Sequence, residues 1–390
     1  MTKNNRDAYE EEKKPVKKKK PAAKAGDGQK ASHGRKLSKK EQAKKKRRRI
    51  ILFIVEIFVL LIMVMVLYIT LAGGKTVKVD LDDFVSEDII INDTVKQAEE
   101  TTMKGYRNIA LFGVDSTTGA LSKNTRSDCI MIASINQDTG ECKLVSVYRD
   151  TYLNLSNDTY NKCNAAYAKG GAEMAINMLN MNLDMNITDF VTVGFAGLSD
   201  TIDALGGVYI DVDDNEKKHL NSYQMTMADN LKRSYTPLNE TGYILLDGLQ
   251  ATGYCRVRYG GGDDFRRTER QREVLSAVSD QAKRATPAAL TQIANNVFGE
   301  VYTSLDLSEI LEVLTHITDY SITETAGFPT EENRATGTVG TKGSCVIPVD
   351  LEENVKWLHQ FLFDDYEYTP SSTVRECGEK IAADTGYGVK

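Results

Sequence analysis

Five arginines fall within the 18 residues from Tyr254 to Gln271 (YCRVRYGGGDDFRRTERQ): Arg256, Arg258, Arg266, Arg267 and Arg270, set around three glycines and three acids. Arg256 and Arg258 alternate with Cys255 and Val257, which is strand spacing and sends both guanidinium groups out of one face. Gly260, Gly261 and Gly262 break that pattern. From Phe265 the period turns helical, because Arg267 and Arg270 are three apart and Val274 and Val278 continue the face. Two arginines on a strand end and two on a helix start, joined by a flexible loop, make a clamp. A guanidinium is always charged and forks onto phosphate oxygens, and a helix N-terminus adds its own attraction for anions. The chemistry this favours is the grip of a multiply charged anion, most simply a pyrophosphate. The plainer alternative is a solvated patch whose arginines pair with their own acids.

Further groups could serve the same ligand. Asp115 closes an apolar strand and Asp128, in Arg126-Ser127-Asp128, opens the next. Two carboxylates at neighbouring strand ends suit Mg²⁺, with Mn²⁺ as a substitute, since magnesium takes one or two carboxylates plus phosphate oxygens and water. A turn or cap role is the alternative for either residue. Arg149-Asp150 follows a strand at the same sheet end as Asp128, and Lys162 precedes Asn164 within reach of a phosphate. Met174, Met178, Met181 and Met185 recur at helical spacing. They read as ordinary core, or as one soft wall of a channel for a long lipid tail. The four histidines are scattered, and there is no zinc spacing, no G-x-S-x-G and no Walker loop, so a Ser-His-Asp hydrolase is unsupported.

The elements that must position these groups follow from periodicity. Residues 108–115 read as a buried strand, and Cys129–Ile135 with Cys142–Tyr148 as a hairpin that sets Cys142 opposite about Ile135. A helix over about 171–183, a strand over 190–195, a short helix over 198–205 and a strand over 208–212 come next. After the arginine stretch a helix runs to about Arg284, followed by helical segments at 288–299 and 307–318. Interleaved strands and helices predict a layered α/β domain whose hairpin makes the sheet mixed or antiparallel. Of the six cysteines, Cys129 and Cys142 are set too far apart by the hairpin to pair, and Cys345 with Cys377 is the better candidate disulfide.

The chain is split in charge. Residues 1–49 carry net +14 and the remainder net −20, against −6 for all 390 residues. Ile50 to Ala72 is 23 residues with one charge, Glu56, and is preceded by Lys44–Arg49 (KKKRRR). About 20 apolar residues cross a bilayer, and the flanking bases put the N-terminus in the cytosol. The expected plan is a disordered basic cytoplasmic tail (1–49), a transmembrane helix (50–72), an extracytoplasmic stalk (73–104), a catalytic domain (105–285) and a helical C-terminal part (286–390). The tail's charge is accounted for by topology and anionic lipid, so no nucleic acid is expected.

GVD at 113–115, RSD at 126–128, SVYRDTY at 146–152, KCNAAYAKGG at 162–171, DALGGVYIDV at 203–212, LDGLQATGYCRVRY at 246–259 and DDFRRTERQ at 263–271 occur in that order. Together they resemble the LytR-CpsA-Psr family over about residues 106–285. The resemblance implies an α-β-α layered fold with a hydrophobic tunnel for a polyprenyl chain. It implies a membrane-bound extracytoplasmic phosphotransferase that moves a glycopolymer, teichoic-acid-like or capsular, from a polyprenyl-pyrophosphate carrier onto peptidoglycan. It assigns Asp115 and Asp128 to Mg²⁺, and Arg126, Arg149, Lys162, Arg256, Arg258, Arg267, Arg270 and Gln271 to the pyrophosphate. Tyr148 stands where proline is usual and Arg266 where glycine is common. Phosphoryl transfer needs a group to take the acceptor hydroxyl proton. Asp264 is the candidate base, with Asp263 and Asp150 as competitors, and Arg149, Arg258 and Arg267 stabilise charge. A polyprenyl-pyrophosphate hydrolase and a non-enzymatic envelope regulator are the alternative functions.

Overall fold

The computed structural model describes residue 84 and residues 88–388, except 117–120, 260–262, 287–288, 291–292 and 294–299. The basic tail, the apolar span from Ile50 to Ala72 and the glycine loop at 260–262 lie outside the described residues. Among the described residues no helix is long and apolar enough to cross a membrane.

Helix α1 (Asp93–Ala98) precedes three strands, β1 (Tyr106–Val114), β2 (Ser127–Asn136) and β3 (Glu141–Val147). Short strands β4 (Tyr152–Asn154) and β5 (Tyr160–Lys162) lead into α2 (Asn164–Leu183) and β6 (Asp189–Val193). Next come α3 (Phe195–Ala204), β7 (Val208–Val212), α4 (Asp214–Leu231), β8 (Gly242–Leu246), α5 (Gly248–Tyr254) and the long α6 (Asp263–Arg284). The chain continues through β9 (Val301–Thr303), α7 (Leu307–Thr315), β10 (Ser321–Phe328), β11 (Arg334–Thr338), β12 (Ser344–Pro348), α8 (Leu351–Phe363) and α9 (Ser372–Thr385).

The central sheet runs β10-β3-β2-β1-β6-β9 and is mixed, as expected from the hairpin. β1, β2 and β3 are antiparallel, while β6 joins β1 and β10 joins β3 in parallel. The β2–β3 register pairs Ile135 with Cys142, as the turn predicted. The side chain of Asn136 fixes that turn by accepting the N–H groups of Asp138 and Thr139 at 3.0 and 3.1 Å. Alternation along β1 and β2 divides the interior. Ala110, Phe112, Ile130 and Ile132 pack with α2, α8 and α9 on one face, and Leu111, Ala133 and Leu144 meet Leu275 of α6 on the other. The sheet is therefore sandwiched between two helical layers.

Three expectations change. The part from 286 onward is not simply helical, because it supplies β9 and β10 to both edges of the sheet and the β11–β12 hairpin. The mostly exposed side chains of β10 (SITETAGF) gave no apolar alternation to read. Second, residue 84 and residues 88–104 belong to the body rather than to a stalk. Phe84 packs on Phe190 at 4.9 Å between ring centroids, Val95 is buried, and the Asn92 amide donates to Asp184 at 2.6 Å. Third, Cys345 and Cys377 are not bonded to each other; all six cysteines are free thiols, five of them buried. Burial pushes the Cys129 and Cys142 thiols up to about 12, so neither is a reactive thiolate.

Candidate anion-binding site

The arginine stretch does not begin as a strand. Asp247 and Gln250 form a capping box that starts α5, and the helix runs to Tyr254 with Cys255 as its C-cap. Turn bonds then carry the backbone through Arg256 (N–H to Gly253 O, 3.0 Å) and Val257 (N–H to Tyr254 O, 3.1 Å). Every residue of α5 is buried, so the segment shows neither a helical nor a strand face to solvent. Gly248 is required there, since a Cβ would lie 2.1 Å from the Ser199 carbonyl oxygen. As a result Arg256 and Arg258 diverge. Arg256 lies over the Phe195 ring at 4.4 Å, and Arg258 turns outward to Asp264.

Asp264 is the hub of the site. Arg258 Nη2 donates to one of its oxygens at 3.0 Å, and Arg267 Nη2 and Arg149 Nη2 lie 3.1 and 3.7 Å from the other. Arg149 also donates to Asp128 at 2.8 Å and lies 3.8 Å from Asp150, which holds Lys162 at 3.3 Å. Residues from β2, the turn after β3, β5, the segment after α5 and the first turn of α6 thus converge. Burial works against the Arg149 charge, yet Asp128, Asp150 and Asp264 outweigh it and hold the guanidinium pKa above its ordinary value. Arg267 is the reverse case. Burial and the neighbouring Arg149 charge leave its pKa below the ordinary arginine value despite Asp264. Arg149 Nε and Arg267 Nε are buried donors without hydrogen-bond partners, and Gln271 Oε1 and Asp264 Oδ1 are buried acceptors without them. Arg149, Lys162, Arg258 and Arg267 outnumber Asp128, Asp150 and Asp264, and two guanidinium N–H groups stay unmet, which suits an added anion.

A cavity of ≈ 290 Å³ opens from these groups. Asp128, Arg256, Arg258, Arg267 and Gln271 stand on its lining together with an apolar wall of Leu111, Met131, Val193, Leu198, Val274, Leu275 and Val278. One face of α6 carries both chemistries, Arg267 and Gln271 first and Val274, Leu275 and Val278 beyond. The methionine stripe is not its wall. Met178 and Met185 are fully buried in the core on the opposite face of the sheet, with Met174 and Met181 packed against it.

Arg270 also departs from the expected set. It is completely buried, bonds Glu216 at 2.8 Å and the Val257 carbonyl at 2.9 Å, and lies over Tyr259. That places it behind the clamp, tying α6 to α4 and to the turn after α5. Arg126 is exposed at the start of β2. Asp115, also exposed, directly follows β1, whose last residue Val114 pairs with Ser127, so Asp115 and Asp128 share one end of the sheet. Among the described residues no group of three or more potential ligands gathers around one point. Two carboxylates of hard oxygen donors, leaving most of the coordination sphere open, still match how Mg²⁺ binds beside phosphates.

One contributor was not read from the sequence. Arg334 lies over the Phe265 ring at 3.9 Å and donates to the Tyr148 hydroxyl at 3.1 Å, while Tyr148 meets Phe265 edge-on at 4.6 Å. This stack braces the first turn of α6 from β11, almost 70 residues downstream in sequence. Only the aromatic at 148, in place of proline, hinted at it. Arg266, where glycine is common, faces away from the clamp to Glu269 and Glu273 at 3.0 and 2.8 Å.

An α/β/α domain with an arginine cluster at the mouth of an apolar cavity has a geometry suited to an amphiphile with an anionic head. The LytR_cpsA_psr family profile matches residues 75–342, and the chain belongs to that family. It is 32% identical over 173 residues to the polyisoprenyl-teichoic acid–peptidoglycan teichoic acid transferase TagU of Enterococcus faecalis, covering 44% of this chain and 52% of that protein. It is 32% identical over 191 residues to the corresponding transferase TagV of Bacillus subtilis, covering 47% and 46%. The chain spans about half the length of the curated relatives it matches. The crystal structure of B. subtilis TagV superposes with a TM-score of 0.54 at 25% identity, covering 68% of this chain and 99% of that one.

Proposed function

We propose that the chain is a phosphotransferase that moves a glycopolymer from a polyprenyl-pyrophosphate carrier to peptidoglycan. The observation that carries this is the junction of surplus guanidinium N–H groups with an apolar cavity: one molecule with a pyrophosphate and an isoprenoid tail satisfies both. Its relatives are named as transferases of teichoic acid between a polyisoprenyl carrier and peptidoglycan. The apolar lining takes the first isoprene units. The pyrophosphate replaces Asp264 as the anion for Arg258 and Arg267 and meets the unpaired Nε–H groups of Arg149 and Arg267. Asp264, released from its guanidiniums, then has a free oxygen for the proton of the acceptor hydroxyl. That hydroxyl oxygen bonds to the phosphorus attached to the glycan, the bond from that phosphorus to the bridging oxygen breaks, and polyprenyl phosphate leaves with the electron pair. A Mg²⁺ held by Asp115 and Asp128 would neutralise phosphate charge. Buried guanidiniums already in place need little reorganisation when charge develops.

The span from Ile50 to Ala72 would anchor the chain in the membrane with the body outside, facing both the lipid-linked donor and the wall. The test is the product formed from a short polyprenyl-pyrophosphate glycan and peptidoglycan fragments with Mg²⁺. A phosphodiester between glycan and fragment, absent with Asp264→Asn, supports transfer. Free glycan phosphate alone would establish the hydrolase instead.

A further inference from the structure

Helix α6 separates two cavities. Arg267, Gln271, Val274 and Val278 face the first; the opposite face borders a second, polar cavity of ≈ 660 Å³ against the β7–β8 hairpin and β10. Arg272 lines it. This side chain is only 8% exposed, and its Nε and Nη1 are buried without a hydrogen-bond partner. The two carboxylates nearest in sequence are already taken. Glu269 accepts from Arg266, and Glu273 accepts from Arg266 and from the Tyr254 hydroxyl. A buried guanidinium with unmet N–H groups costs free energy unless an anion meets it. Burial accordingly lowers the pKa of Arg272 from its ordinary value.

The rim of the cavity adds a second kind of recognition. Tyr209 and Tyr243 stack at 5.4 Å and 20° across the β7–β8 hairpin, yet they are 44% and 72% exposed. The stacked pair forms an apolar patch that the described residues leave open to solvent. Asp280, Gln281 and Arg284 continue the lining along α6 with groups that accept from or donate to hydroxyls. An aromatic patch, hydroxyl partners and one buried cation make a site for a sugar ring that bears a carboxylate.

We propose that this second cavity binds the acceptor, a muramyl-type saccharide, with its ring on Tyr209 and Tyr243 and a carboxylate of its lactyl–peptide arm on Arg272. The assignment to the acceptor rests on the transferase reading. Arg266 and Arg267 are adjacent on α6 and open onto the two cavities, so an acceptor strand lying on one face of the helix start can present a hydroxyl at the other.

The test is calorimetric titration of the full chain in detergent with muramyl dipeptide, a ring carrying a carboxylate, and with uncharged chitobiose. Muramyl dipeptide should bind, and chitobiose should bind at least tenfold more weakly. Tyr243→Ala, a substitution at an exposed position, should weaken muramyl dipeptide binding about threefold to tenfold. Arg272→Gln should weaken it about tenfold to a hundredfold. Should Arg272→Gln fail to fold, Arg284→Glu on the rim replaces it, with a smaller loss expected. Equal binding of the two probes, no binding of muramyl dipeptide, or affinities unchanged by Tyr243→Ala and Arg272→Gln would each overturn the proposal. Titration needs no turnover, so retained binding in Asp128→Ala supports it independently of transfer. Absent transfer with intact binding would sink only the phosphotransferase reading.

Discussion

Lysine in place of Arg258 or Arg267 keeps the charge and removes the planar fork. The two residues come from different elements, the segment after α5 and the first turn of α6, and meet on opposite oxygens of Asp264 at 3.0 and 3.1 Å. If a pyrophosphate takes over those contacts, each charge-assisted bond is worth roughly 1.5–3 kcal/mol. Held into the transition state, that is about one to two powers of ten in rate. Exposure decides where in that range each falls. The Arg267 side chain is 6% exposed and the Arg258 side chain 42%, so water screens Arg258 more. Arg267→Lys should therefore be the slower variant. Both groups act on one ligand, so the double variant should lose less than the product of the two single losses. The assay is the initial rate of transfer from a short polyprenyl-pyrophosphate glycan, with thermal unfolding as a control for fold. Near-normal rates in all three variants would show that the cluster is a self-neutralised surface patch. Strictly multiplicative losses would show that the two arginines do not share a ligand.

Asp115→Ala and Asp128→Ala should each abolish transfer while leaving the unfolding temperature nearly unchanged, and full activity of both with Mg²⁺ present would make them turn residues. Leu198→Trp, which fills the apolar cavity, should raise the KM for donors with long prenyl chains and spare those with very short ones; a uniform effect on both would place the tail elsewhere. His359 is fully buried, donates from Nε2 to the Leu183 carbonyl at 3.2 Å and stacks on Tyr368. Burial, partly offset by the Leu183 carbonyl and by Asp184 and Asp365, lowers its pKa to about 4 from 6.5. The unfolded chain then binds a proton more readily than the folded one, so stability should hold above about pH 6.5 and fall by about 3 kcal/mol between pH 6.5 and 4. Urea unfolding of His359→Phe across that window should show a correspondingly smaller slope, and an identical slope would remove His359 from the account.

The local signals in the chain were strong where one face of an element meets water. The β2–β3 register, the helix that became α6 and the mixed sheet all follow from alternation, a side-chain-fixed turn and a 3.6-residue stripe. The types of the clamp residues were also legible, because few uses other than an anion gather so many arginines around glycines. Partnership was not. The strand expected at Arg256 and Arg258 is the turn after α5, a wholly buried helix that carries no period of its own. Arg270 has the same chemistry and helical spacing as Arg267, yet one is sealed against Glu216 and the other faces the cavity. Side chains three residues apart on a helix still point about 60° apart, enough to meet different walls once walls stand on both sides. Which wall stands where depends on α4, on the β7–β8 hairpin and on Arg334, all distant in sequence. Composition and spacing determined what the residues can bind; only the tertiary structure decided which of them share a ligand, because packing alone sets the direction in which a long side chain leaves its helix.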